Sequence, residues 1–369
     1  PLSIYLLIAL CILIVGTVVY FLRPIQIMGI LLGTIIIYEF LAIIIFDANV
    51  ILNLIYPPLT IILSFPLFYA ASYTIERRER KKIETAFGKY LSPNVVSHLL
   101  DNKETVELGG EEREMTIFFS DIRRFTTLSE KLTPAKLVST LNEYFSIMSS
   151  IIVKNNGIVD KYIGDAIMAF WGAPADNKNH SLDAAKSSLE MKRALRKIKQ
   201  DFHKKGIEID IGIGINTGPV IVGNIGSKER FDYTVIGDAV NLASRVEGLT
   251  KNYGTTIIIT EYTKKHLSAE FITRELDLVA VKGKTKPVAL FELIDVTENV
   301  EPDTHEFIRI YEGGLVLYRQ GEFMKAKEKF QESFQMKHDQ ASKLMMERCD
   351  EYEKNVPADW KGVYIAKSK

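Results

Sequence analysis

The chain has 369 residues, 47% of them apolar, with 46 basic and 46 acidic side chains and a formal net charge of zero. That length exceeds one usual domain, and balanced charge excludes a global field that would draw nucleic acid or another polyanion. The two cysteines, Cys11 inside an apolar run and Cys349 near the carboxyl terminus, make neither a disulfide framework nor a metal-ligand cluster, which suits a reducing compartment for the polar part. The chain begins at Pro1 without an initiator Met, and the expectation is that it continues a longer product with a domain upstream.

Residues 1–75 read as a membrane domain. Leu2 to Leu22 carry no charge and are almost wholly apolar, enough for a helix to cross a ~30 Å hydrocarbon core. A second run, Ile25 to Phe46, holds only Glu39, and a third, Leu54 to Tyr73, contains Pro57, Pro58 and Pro66, which a membrane helix tolerates. Three transmembrane helices are expected, with the lipid bilayer as partner, because the runs lack the polar face of a soluble bundle. Arg23 and the run Glu76-Arg-Arg-Glu-Arg-Lys-Lys82 are the basic flanks, and both stay cytoplasmic only if the amino terminus lies outside. The expected location is therefore the cell (inner) membrane, multi-pass, with the polar part cytoplasmic. Glu39 inside a span costs roughly 2.5–3.5 kcal/mol on insertion scales and so marks an interhelical contact or relay.

Residues 76–110 read as a juxtamembrane connector: a charged helix to about Phe87, then Ser92-Pro93 as N-cap and first helical position of a helix over Val95 to Leu100. Residues 111–296 alternate strand-like and helix-like segments. Met115 to Ser120 is a buried strand, and Lys136 to Val153 has helical apolar spacing. Gly157 to Trp171 gives two short strands around Gly164-Asp165, and Leu182 to Phe202 is helical. Glu208 to Ile215 and Val220 to Asn224 are two strand-like runs, Ala239 to Leu249 is helical, and Thr256 to Thr260 and Leu276 to Leu293 supply further strands. The class is α+β, a sheet covered by helices. After a polar linker with Pro302, residues 305–369 form a helical extension: two helices around Gly321 and an aromatic tail with Trp360 and Tyr364. Gly321 to Phe330 resembles part of one tetratricopeptide unit, which cannot bury its apolar face alone and is expected to pack on something else.

The chemistry lies in three short segments. Asp121 follows the apolar strand Ile117-Phe-Phe-Ser120, where the chain turns through Ile122-Arg-Arg-Phe-Thr126 towards a helix; an Asp there can hold a hard cation while nearby amides meet phosphate oxygens. In Lys161-Tyr-Ile-Gly-Asp165 the glycine permits a tight hairpin that presents Asp165 at its tip. Each Asp taken alone is commonly a cap or turn residue. Together, on adjacent strand ends, they suit two divalent ions, Mg²⁺ or Mn²⁺, for phosphoryl chemistry. In Tyr233-Thr-Val-Ile-Gly-Asp-Ala-Val-Asn-Leu-Ala-Ser-Arg245, Asn241 and Arg245 are four apart on one helix face. An amide and a guanidinium so placed can hold a ribose and stabilise charge developing on a phosphate.

Phe118-Phe-Ser-Asp-Ile-Arg, Lys161-Tyr-Ile-Gly-Asp-Ala and Val240-Asn-Leu-Ala-Ser-Arg, in this order, resemble the catalytic core of class III adenylate and guanylate cyclases over about Glu112 to Asp295. The apolar runs, the connector Phe87-Gly-Lys-Tyr-Leu-Ser-Pro93 and the terminal helices are similar to bacterial members with a CHASE-type sensor upstream, absent from this chain. The resemblance implies a ferredoxin-like sheet and a head-to-tail homodimer with shared active sites. Asp121 and Asp165 would bind metal in one copy and face Lys161, Thr234, Asn241 and Arg245 of the second. Lys282, in Val281-Lys-Gly-Lys-Thr285, matches the family's triphosphate-binding lysine, and Arg230 is a further candidate for that role.

Lys161 is donor-only and can serve adenine N1, while the Thr234 hydroxyl can accept from the 6-amino group. Guanine would favour a carboxylate facing its N1 and N2 hydrogens. The common adenylate pattern has Asp where this chain has Thr234, and because a hydroxyl also donates, GTP stays open. The expected activity is adenylate cyclase: metal-assisted attack of the ATP ribose 3′-hydroxyl on the α-phosphorus, giving 3′,5′-cyclic AMP and pyrophosphate. The alternatives are guanylate cyclase and a catalytically silent nucleotide-binding dimerisation module.

Overall fold

The structure is a computed structural model that describes residues 2–21, 24–46, 51–87, 108–280, 286–355 and 360–365. It divides into two compact units, Pro1–Val96 and Ser97–Lys369.

The first unit holds helices α1 (Leu2–Phe21), α2 (Pro24–Phe46) and α3 (Tyr56–Phe87). Cys11, Val15 and Val19 of α1, Ile27 and Leu31 of α2, and Ile61 of α3 make a small shared core. Most other large apolar side chains point outward, among them Leu13, Ile37, Phe40, Ile62 and Leu67. The hydroxyls of Thr17, Thr34 and Thr60 donate to the carbonyl four residues earlier at 2.8, 2.8 and 2.7 Å, so each polar group is satisfied by its own helix. The expectation of three spans needs correction. Among the described residues two helices, Gln26–Phe46 and Tyr56–Ile75, are long and apolar enough to cross a membrane, whereas the apolar stretch Tyr5–Val19 falls short of the ~20 residues a crossing needs. Asn53 starts α3 by accepting the Ile55 and Tyr56 amides at 3.0 Å, and α3 continues through Pro66 into the charged segment as one helix. Arg23, the Ser92-Pro93 cap and the helix expected over 95–100 lie outside the described residues.

The second unit is built on a nine-stranded sheet. In chain order its elements begin with β1 (Gly109–Ile122), α4 (Phe125–Lys131), α5 (Pro134–Lys154), β2 (Ile158–Ile163), β3 (Ala166–Trp171) and α6 (His180–Lys204). Then follow β4 (Ile211–Gly226), β5 (Phe231–Ile236), α7 (Asp238–Tyr253), β6 (Ile257–Thr260), α8 (Glu261–Lys264), β7 (Phe271–Ala280) and β8 (Val288–Val296). Helices α9 (Thr304–Arg319), α10 (Phe323–Lys337) and α11 (Gln340–Lys354) and the short β9 (Tyr364–Ile365) complete it. The strand order is β2-β3-β1-β4-β6-β8-β7-β9, with β5 paired to the far half of β4. This is the mixed α+β class expected.

Alternation along β4 shows how the layers form. Ile211, Ile213 and Ile215 join Phe118, Tyr144, Met148, Trp171 and Leu189 in a core covered by α5 and α6. Gly212 and Gly214 face the other side, where α7 lies. The two strands expected at 208–215 and 220–224 are one. Strand β6 pairs with residues 213–215 and β5 with 221–226, so between them the second edge of β4 has no strand partner and Pro219 removes no ladder bond there.

On the α7 side, Leu242, Val246, Leu249 and Tyr253 share a second core with Leu276, Val279 and Leu290 of the sheet and Tyr311, Leu315, Phe330 and Met345 of the terminal helices. The extension thus packs on the sheet, and it contains a third helix, α11, that the apolar spacing did not reveal. Two buried arginines fix its seat. Arg274 bonds Glu292 and Asp339, both at 2.7 Å. Arg348 meets Asp277 at 2.5 Å, and the Tyr253 hydroxyl donates to the same carboxylate oxygen at 2.7 Å. Removing one partner leaves the other charge buried and uncompensated. Arg348→Met is therefore expected to cost about 3–5 kcal/mol of unfolding free energy, and Arg348→Met with Asp277→Leu to recover most of it; denaturant unfolding of the two variants checks this.

Candidate active site

Asp121 pairs with Gly212 near the end of β1, and Gly164-Asp165 forms the β2–β3 turn with Gly164 at φ 66°, where a side chain would be strained. The structure brings the two carboxylates into side-chain contact. Lys251 of α7 donates to Asp121 Oδ2 at 3.3 Å. Asp165 Oδ2 is buried with no hydrogen-bond partner. Burial first, and then the hydrogen bond and negative charge of Asp121, push the Asp165 carboxyl up to about 7, against backbone amides of Asp165 and Ile122 that favour its ionised form.

A third carboxylate belongs to this region and was not anticipated. Glu247 of α7 is buried, and its Oε1 also lacks a partner. Burial, followed by the charge of Asp121, pushes its carboxyl up to about 7 as well. A Glu amid a helical run with Arg245 and Lys251 reads as a solvated face; the signal that could have found it is the pair Gly212 and Gly214, which opens the sheet to α7. A Cβ on Gly212 would stand 2.9 Å from Glu247 Oε1.

The orphaned oxygen of Asp165 and the excess of three carboxylates over the Lys251 ammonium and the Arg123 guanidinium fit a hard divalent cation. Among the described residues no group of three or more His, Cys, Asp or Glu side chains is placed to hold a metal. Two carboxylates alone leave most of a six-coordinate shell to backbone carbonyls, water and substrate oxygens.

The second group is a groove of about 410 Å³ lined by Lys161, Met168, Thr234, Val235, Ile236, Gly237, Val240 and Asn241. Its apolar walls and three convergent polar side chains suit a flat heterocycle with a polar edge. A bulge shapes it: Val159 pairs with Ala169 and Lys161 with Met168, leaving Asp160 as the extra residue on β2. Strict alternation would send Asp160 and Lys161 to opposite faces. Instead Asp160, its side chain 1% exposed, lies 3.4 Å from Lys161 Nζ and accepts a short hydrogen bond from the Thr234 hydroxyl. Burial raises the Asp160 carboxyl pKa, and the Thr234 hydroxyl and the Lys161 charge oppose the rise. Lys161 also lies 3.9 Å from Asp232.

Asn241 and Arg245 are exposed one turn apart on α7. Arg230 is exposed in the β4–β5 turn, its backbone bonded to Ser227, and does not line the groove. Lys282 lies outside the described residues. A second cavity, about 430 Å³, is lined by Glu114, Asn216, Tyr262, Lys265 and His266 among others and includes none of the expected site residues. Within one chain, then, Asp121 and Asp165 form one group, and Lys161, Thr234 and Asn241 another, without sharing a cavity.

The sequence pattern of the adenylate and guanylate cyclase catalytic domain matches residues 110–294. An adenylate cyclase of Anabaena cylindrica is 39% identical over 234 residues, 61% of this chain and 46% of that protein. The terminal-differentiation-specific adenylate cyclase of Dictyostelium discoideum is 36% identical over 246 residues, 64% of this chain and 11% of that protein. The chain therefore spans less than half the length of either relative. The solved structure of a bacterial light-regulated adenylyl cyclase superposes with a TM-score of 0.50 at 28% identity, covering 64% of this chain and 67% of that one.

Crowded, partly unpaired carboxylates cost stability, and a cation bound there would offset that cost. In chelator, Asp165→Asn is expected to raise the melting temperature of the chain. With Mn²⁺ and a nucleoside triphosphate at about 100 times the dissociation constant, the parent should gain about 2.7 kcal/mol and the variant almost none. Thermal unfolding under the two conditions reads both effects.

Proposed function

Because the chain belongs to the adenylate and guanylate cyclase catalytic family over residues 110–294, we propose that it converts ATP to 3′,5′-cyclic AMP and pyrophosphate as a membrane-anchored homodimer. The observation that carries this reading is the separation of the two half-sites. Among the described residues, Asp121 and Asp165 form one pair, and the groove lined by Lys161, Thr234 and Asn241 is not lined by either of them. Two copies arranged head to tail would complete both.

In that reading the groove binds the base, Lys161 donating to N1 and Thr234 meeting the exocyclic group at position 6. Asn241 orients the ribose, and Arg245, one turn along α7, stabilises negative charge on the phosphates. Lys282 and Arg230 are the candidates for the triphosphate tail. Asp121 and Asp165 would hold divalent cations, Mg²⁺ or Mn²⁺, whose chemistry is to neutralise phosphate charge and make the 3′-hydroxyl more acidic. The O3′–Pα bond forms as the bond from Pα to the bridging oxygen of pyrophosphate breaks, and the hydroxyl proton leaves to water. The apolar groove walls, Met168, Val235 and Val240, keep water from the base edge, so its hydrogen bonds discriminate more strongly. The adenylate cyclases among the relatives support ATP as the substrate.

The membrane anchor is supported by the two long apolar helices, whose candidate spans are only 11% buried, unlike core helices of a soluble bundle. The basic run Arg77 to Lys82 beyond the last of them supports a cytoplasmic catalytic unit by the positive-inside rule.

Turnover of ATP and GTP by the full chain, with Mg²⁺ and with Mn²⁺, tests the proposal. Cyclic AMP should be the main product, and Asp121→Ala should reduce it by at least about a thousandfold, the scale of losing electrostatic stabilisation at a phosphoryl centre, while the chain stays folded. A folded Asp121→Ala chain with normal turnover, or a parent chain that binds nucleotide without forming cyclic product, would defeat it.

A further inference from the structure

We propose that Asp160 is a positioning residue that sets which purine the groove accepts, by taking the Thr234 hydroxyl proton and leaving only lone pairs on that oxygen to face the base. The inference rests on the nucleotide-cyclase reading above and deepens it. A lone threonine hydroxyl both donates and accepts, and so reads a 6-amino group and a 6-oxo group about equally well. Here its single proton is committed. The Thr234 hydroxyl donates to Asp160 Oδ2, and an ionised carboxylate can only accept.

The same carboxylate stands beside the second base-reading group, which is donor-only whatever its neighbour. Its other oxygen, Oδ1, lies 3.4 Å from the Lys161 ammonium. One buried side chain therefore presents an obligate acceptor at Thr234 beside an obligate donor at Lys161. Adenine answers this pattern with a 6-amino donor and an N1 acceptor. Guanine in the same pose opposes its 6-oxo lone pairs to those of Thr234 and its N1–H to the ammonium, so both contacts are mispaired. The backbone device behind this is the bulge on β2, which turns Asp160 inward next to Lys161 instead of to the opposite face.

The test uses the full chain and equilibrium competition of ATP and GTP against a fluorescent N-methylanthraniloyl nucleoside triphosphate in Mn²⁺, with turnover followed in parallel. Asp160→Asn places an amide where the direction of the bond to Thr234 is no longer set. It should lower the preference for ATP over GTP by about tenfold, the effect of one mispaired hydrogen bond in a buried site. Thr234→Val should lower the preference too, and adding Asp160→Asn to Thr234→Val should change it no further, because the hydroxyl through which Asp160 acts is gone. If Asp160→Asn does not fold, Asp160→Ser, which also leaves the bond direction unset, takes its place with the same expectations. The proposal is overturned if the Asp160 variant weakens ATP and GTP by the same factor, or alters the preference equally with and without the Thr234 hydroxyl. Nucleotide preference that depends on Asp160 without cyclic product would defeat the cyclase reading alone, and cyclic product with a preference indifferent to Asp160 would defeat this one alone.

Discussion

Helix α7 lies on the sheet because β4 offers it no side chain at residues 212 and 214. A Cβ on Gly214 would stand 2.6 Å from the carbonyl oxygen of Ala243, and one on Gly212 would meet Glu247 and Thr250. Most of what the second unit can do depends on that approach. The helix carries Asn241 and Arg245 on its exposed side, Glu247 beneath the carboxylate pair, and Lys251 against Asp121. Glycine in a strand interior sacrifices packing and entropy. Here the loss is offset by seating a helix backbone directly on the central strands.

The far side of α7 is held just as firmly. The terminal helices bury Tyr311, Tyr318, Phe330 and Met345 against it and the sheet, and the Arg348–Asp277–Tyr253 cluster ties α11 to the end of α7. Buried ion pairs recover little net stability against apolar packing, but they tolerate few alternative arrangements. Their consequence here is orientation. The extension behaves as a further layer of the catalytic unit, and a single tetratricopeptide-like hairpin survives because the sheet supplies the neighbour it lacks.

The polar chemistry follows one physical pattern at both groups of candidate site residues. Carboxylates are buried or crowded together with reduced access to water, and their hydrogen-bonding capacity is directed at something else. At Asp121 and Asp165 that capacity suits a hard cation. At Asp160 it is spent inside the protein, on the Thr234 hydroxyl and near the Lys161 ammonium. The first arrangement leaves stability for a ligand to supply, whereas the second converts stability into a defined donor and acceptor pattern.

Much of this was legible in residue order alone. The strand before Asp121, the Gly164-Asp165 turn and the helix carrying Asn241 and Arg245 announce themselves through local periodicity and turn chemistry, which are properties of a few neighbouring residues. The α+β class, the family and the pairing of the two Asp residues follow from those segments. Tertiary structure decided what depends on contacts between distant segments. Whether two apolar runs make one β4 is set by strands β5 and β6, which pair with different halves of it. Helix α11 owes its place to a sheet some sixty or more residues earlier in the chain, through Arg348 and Asp277. Glu247 is buried only because two glycines on another element admit its helix, and Asp160 reaches Thr234 and Lys161 only because a bulge shifts the register of β2 against β3. The sequence by itself determined which chemical groups the protein owns and on which elements they ride. Direction, burial and hydrogen-bond polarity came from the fold, because they belong to pairs of residues that only the folded chain brings together.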